Sequence, residues 1–152
     1  MEEVVLFLHL LGALLFVAGV VLAGVAFEVA RRREQPSEIA LLLGLTRIGV
    51  VLVAIGAPLL ALGLWLVDLG DFGYRTGWVD ASIVLFLVAI VLGGFGGQRP
   101  KQARLLASQL AAVEASASAE LRALLSDRAS LIANYLSKVV MVTVVALMVF
   151  KP

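Results

Sequence analysis

Four long apolar stretches divide the chain: Val4–Ala30, Ile39–Val67, Trp78–Gly97 and Leu131–Phe150, separated by polar or turn-forming residues. Each reaches the ~20 residues that a helix needs to cross the hydrocarbon of a bilayer. Backbone amides in lipid must find their partners within the segment, so the pattern predicts four spanning helices, at about 4–30, 39–67, 78–97 and 131–150. Residues 101–130 differ. There Leu106, Leu110, Val113, Ala117, Leu121 and Leu124 recur at alternating threes and fours, with Arg104, Glu114, Glu120 and Arg122 among them. That spacing predicts an amphipathic helical segment ahead of the fourth span. It reads either as an extension of the fourth helix, with a hairpin near Ser116-Ala117-Ser118, or as a helix that docks a partner through 101–127 or lies on the membrane surface. The predicted fold is all-α, an integral membrane four-helix bundle forming a single membrane domain over residues 1–152.

Charge orients the bundle. Arg31, Arg32 and Arg33 follow the first run and Arg99, Lys101 and Arg104 follow the third, whereas the connection after the second holds only Arg75. The positive-inside rule places the arginine-bearing loops in the cytoplasm of a cell (inner or plasma) membrane, with both termini outside. Trp65, Phe72, Tyr74 and Trp78 gather at the opposite ends, where an aromatic belt is expected. The opening Met1-Glu2-Glu3 and the length of the first run predict a retained span rather than a cleaved signal peptide.

Composition agrees: 62% of residues are hydrophobic, 15% are charged and the mean hydropathy is +1.07, too apolar for a soluble domain. A net charge of +1 offers no basis for nucleic-acid binding. The absence of cysteine removes disulfides, thiolate metal sites and cysteine nucleophiles.

Two stripes of small residues repeat every seven positions: Gly12, Gly19 and Ala26 in the first run, Gly49, Gly56 and Gly63 in the second. A seven-residue repeat keeps one helix face on a partner, and small side chains let backbones approach closely. An antiparallel hairpin is expected, with Gly12 level with Gly63, Gly19 with Gly56 and Ala26 with Gly49.

Ionisable side chains at membrane depth are costly, so each invites an explanation. His9, the only histidine, lies near the outer face, and Asp80 is expected at a similar depth. A carboxylate there would orient the imidazole as it does for a ligating histidine; the plainer reading is a hydrogen bond at an interface. Glu28 is expected to pair with Arg32 one turn on. Arg47 and Lys138 then remain as cations on the cytoplasmic half, near Thr46, Asn134, Tyr135 and Ser137. They either snorkel to headgroups or form an anion site for a lipid headgroup or acidic ligand. His9 lies nineteen residues from Glu28, about 28 Å along one helix, so the two ends cannot grip one small ligand.

Hydrolase, zinc-protease and phosphate-loop motifs are missing, which leans against an enzyme. The opening Leu8-His9-Leu-Leu-Gly12-Ala-Leu-Leu-Phe16-Val-Ala-Gly19 and the arginine stop after it resemble the start of small bacterial membrane proteins of the copper-resistance D-like group, which includes haem-dependent membrane protoporphyrinogen oxidases. Leu45-Thr46-Arg47-Ile-Gly49, Leu62-Gly63-Leu-Trp65-Leu and Gly77-Trp78-Val-Asp80-Ala are similar to a branch of predicted integral membrane proteins of unknown function. The resemblance implies a functional first-helix histidine, hence a haem or metal near His9. The oxidase members also use a lysine, whereas Lys138 stands on a different helix. Three readings follow: a small-ligand or cofactor-binding membrane protein using His9 with Asp80; an assembly subunit docking a partner through 101–127; or an oligomeric channel or carrier using Arg47 and Lys138. A homo-oligomer or a subunit of a membrane complex, in contact with lipid, fits each.

Overall fold

A computed structural model describes residues 2–69 and 77–150, with the side chains of residues 68 and 69 left out. The turn carrying Phe72, Tyr74 and Arg75, and with it much of the expected aromatic belt, lies outside the described residues. The fold is all-α: α1 (Glu2–Arg31), α2 (Pro36–Leu69), α3 (Gly77–Gly96), α4 (Gln98–Ala112), α5 (Ala119–Leu125) and α6 (Arg128–Phe150). The four apolar runs fall in α1, α2, α3 and α6.

The segment 101–130 is not one helix. Gly97 alone separates α3 from α4, so the two form a nearly continuous rod from Gly77 to Ala112. That rod is about 54 Å long at 1.5 Å per residue, against ~30 Å of hydrocarbon, so its α4 end stands beyond the membrane. The chain then reverses through residues 113–118. Glu114, at φ 50°, closes α4: Glu114 N–H donates to the Ala111 carbonyl and Ala115 N–H to that of Leu110, the paired bonds of a Schellman ending. Ser118 opens α5, its Oγ accepting from Leu121 N–H. Asp127 opens α6 in the same way, its carboxylate accepting from Ser130 N–H at 2.9 Å. The extension expected on the fourth span is therefore shared, with α4 prolonging α3 and α5 leading into α6.

The basic ends of the helices enclose a core. Phe27 and Ala30 of α1, Ile39 and Leu43 of α2, Ala103 and Ala107 of α4, and Leu121 and Leu125 of α5 bury one another. Ile39, Leu43 and Leu121 are fully inaccessible. Leu106, Leu110, Ala117 and Leu124 pack around this cluster. The apolar face of 101–127 packs on the chain's own ends of α1 and α2. Val113, assigned to that face by spacing, falls at the reversal and is exposed.

Within the apolar zone, α1 packs along α2 and α3 along α6. The first pair meets through backbone. A Cβ added to Gly19 would lie 2.5 Å from the Gly49 carbonyl oxygen, and one on Gly56 2.7 Å from that of Gly12. Ala26 is buried on the same helix face. The register differs from the level pairing expected. Gly19 faces Gly49 and Val53, Gly12 sits between Gly56 and Leu59, and Gly63 faces His9. Gly12 and Gly19 each seat between partners on the facing helix, because a ridge on one helix fills a groove, not a ridge, on the other.

The α3/α6 pair is joined by polar side chains. Pro100 has no N–H to give to the Gly96 carbonyl four residues earlier. Ser130 Oγ (2.6 Å) and Asn134 Nδ2 (3.0 Å) donate to that oxygen instead. Ser137 Oγ likewise donates to the Ala89 carbonyl at 2.8 Å. The Phe16 and Phe86 rings, 5.5 Å apart, join the two pairs.

Candidate functional site

His9 is held from α2. Its Nδ1 lies 3.0 Å from the Leu60 carbonyl oxygen. A carbonyl only accepts, so Nδ1 is the donor of this bond. Gly63 makes room for the ring: a Cβ there would stand 2.5 Å from His9 Cε1. Asp80 is exposed and makes no hydrogen bond or ion pair with His9 among the described residues. The backbone, not a carboxylate, orients the imidazole. Among the described residues no three His, Cys, Asp or Glu side chains cluster to hold a metal. A haem or metal here would meet a lone imidazole pressed against Gly63.

The two cations are also parted. Arg47 is exposed on α2 and has no hydrogen-bonded or ionic partner among the described residues. Lys138 lines the space between α1 and α6. A groove of about 600 Å³ opens between these two helices. Its walls are apolar: Phe16, Val20 and Val21 from α1, and Met141, Val142 and Val145 from α6. Its basic end is polar, formed by Glu28, Asn134, Tyr135 and Lys138. Arg47 is not among its lining residues, so the structure does not bring Arg47 and Lys138 together.

Each polar group at that end has a definite arrangement. Glu28 accepts from Arg31 (2.9 Å), from Arg32 (3.1 Å) and, across the groove, from the Tyr135 hydroxyl (3.1 Å). The Arg32 pairing expected from spacing is thus one of three. Asn134 is engaged with Gly96. The Lys138 ammonium stands 5.1 Å from the centre of the Tyr135 ring, a cation–π contact. No carboxylate lies within ion-pair distance of it among the described residues. Its berth is Gly24, where a Cβ would come within 2.9 Å of Nζ. Sequence reasoning named Lys138 and its polar neighbours but overlooked Gly24. The signal was there, since Gly24 falls off the Gly12–Gly19–Ala26 stripe and so faces something other than α2.

A family model described as "Predicted integral membrane protein (DUF2269)" matches residues 3–152. No curated protein and no solved structure matches the chain.

Proposed function

We propose that this chain, which belongs to the family of predicted integral membrane proteins (DUF2269), is a binding protein for an apolar small molecule that enters the α1/α6 groove from the hydrocarbon. One observation carries the reading: two spanning helices diverge around a groove of about 600 Å³ with nearly continuous apolar walls. That volume lies within the roughly 300–1,000 Å³ of sites for one small ligand. Along α1 the groove runs from Glu28 to Phe16, about 18 Å, close to half of the ~30 Å hydrocarbon. A molecule filling it would lie within one leaflet. By the positive-inside rule that leaflet is the cytoplasmic one, with both chain termini outside.

The test is saturable binding of a neutral probe, radiolabelled 1-dodecanol, to protein in phosphatidylcholine nanodiscs. One site per chain is expected. Met141→Trp, which fills the groove from α6, weakens it at least about tenfold, or ~1.4 kcal/mol. Ile55→Trp, on the exposed face of α2, leaves it unchanged. Uptake that never saturates, equal in all three proteins, means that the groove holds bulk lipid and overturns the reading.

A further inference from the structure

Resting on that reading of the groove, we infer that its ligand is a single-chain amphiphile with a singly charged anionic head, a carboxylate of the fatty-acid class, bound by Lys138. The inference starts from an imbalance of charge. Glu28, the one carboxylate lining the groove, is already offset by Arg31 and Arg32 and accepts the Tyr135 hydroxyl. Lys138, one turn deeper, has an aromatic face on one side, glycine beneath it and no carboxylate to neutralise it. An ammonium carries three donors, and at the edge of an apolar groove an uncompensated charge is costly. An anion arriving with an apolar tail removes that cost.

The same geometry limits the head and the tail. The groove offers one unpaired cation. A phosphate monoester carries about −1.5 to −2 at neutral pH and would bring surplus negative charge beside Glu28, whereas a carboxylate balances Lys138 one to one. From Lys138 the apolar wall continues to Val145, seven residues along α6, about 10 Å. On α1 it continues from Gly24 to Phe16, about 12 Å. A single chain of medium length fits that run. The head would sit between the Lys138 ammonium and the mouth formed by Tyr135 and Glu28, with the tail directed toward Phe16. Gly24 is then a specificity residue, since any side chain there displaces the ammonium.

The experiment compares four competitors against a radiolabelled dodecanoate probe in phosphatidylcholine nanodiscs: dodecanoate, 1-dodecanol, dodecyl phosphate and phosphatidylglycerol. Wild-type protein is expected to prefer dodecanoate over 1-dodecanol by about tenfold or more, the worth of one charge-assisted hydrogen bond. Lys138→Met should abolish that preference, bringing the ratio of the two affinities to about one, and Lys138→Arg should keep it. Equal affinity for dodecanoate and 1-dodecanol in the wild type would overturn the anionic head and leave the apolar groove standing. Absence of saturable binding by either probe would overturn both. Tighter competition by dodecyl phosphate would overturn the singly charged head, and tighter competition by phosphatidylglycerol the single chain. A preference that survives in Lys138→Met would remove Lys138 from the site.

Discussion

The two ends of α2 are packed by opposite rules. At the basic end Ile39 and Leu43 are fully buried against Phe27, Ala103, Ala107, Leu121 and Leu125. Two turns further on, Val50, Val51 and Ile55 are half or more exposed, and the residues pressed into α1 are Gly49 and Gly56. The same helix buries its large apolar side chains in one region and its glycines in the other. The difference is the solvent. Outside the bilayer, removing a leucine from water contributes about 1.5–3 kcal/mol, so large side chains turn inward. In hydrocarbon a valine loses nothing by facing a lipid tail. What holds helices together there is close approach, which small residues permit, and interhelical hydrogen bonds. The Ser130, Asn134 and Ser137 bonds to α3 carbonyls are the second device, the glycine stripes the first.

The contrast can be broken most directly by making one kind of truncation in both regions of α2. Leu43→Ala is expected to cost about 2–5 kcal/mol through the cavity it leaves, read as a lowered midpoint of thermal unfolding in detergent. Ile55→Ala should stay within about 0.5 kcal/mol, as a lipid-facing change away from any packed feature. Equal losses would mean that the two regions obey one rule.

Glycines sharpen it next. Gly56→Ala places a methyl group 2.7 Å from the Phe16 amide nitrogen, backbone that must move, at about 1–3 kcal/mol. Gly44→Ala enters open space and should stabilise α2 by up to about 1 kcal/mol through helix propensity. Midpoints shifting in opposite directions are the expected result, and a shared direction would remove close backbone approach as the cause.

The last contrast concerns the α3/α4 junction, where the effect read is the recovery of part of a loss. Replacing both Ser130 and Asn134 by alanine leaves the Gly96 carbonyl without its donors, at about 1–3 kcal/mol. Adding Pro100→Ala to that pair restores a backbone N–H and should recover part of the loss. No recovery would show that the two side chains serve packing, not the orphaned oxygen.

Much of the fold was legible in the residue pattern. Long apolar runs need internal hydrogen bonding in lipid, which makes them helices, and a seven-residue glycine spacing marks the α1/α2 face. The Glu28–Arg32 pair followed from helical spacing alone. The candidate site was legible only in part. Lys138 could be named as a cation without a partner, but the spacing gave no reason to separate it from Arg47, which does not line the groove.

What local sequence determines is whatever depends on the neighbouring turn: span, helix, cap and i,i+4 pair. Only the tertiary structure decided the rest, because rotation about a helix axis and sliding along it cost almost nothing locally. The interlock of side chains placed Gly19 on Gly49 and not level with Gly56. It left Asp80 exposed and gave the imidazole the Leu60 carbonyl instead. It folded the apolar face of 101–127 back onto α1 and α2. The groove beside Lys138 has the same origin. It exists because α1 and α6 each pack more closely on another helix than on one another, a choice made by contacts between residues 34 to 51 apart in the chain.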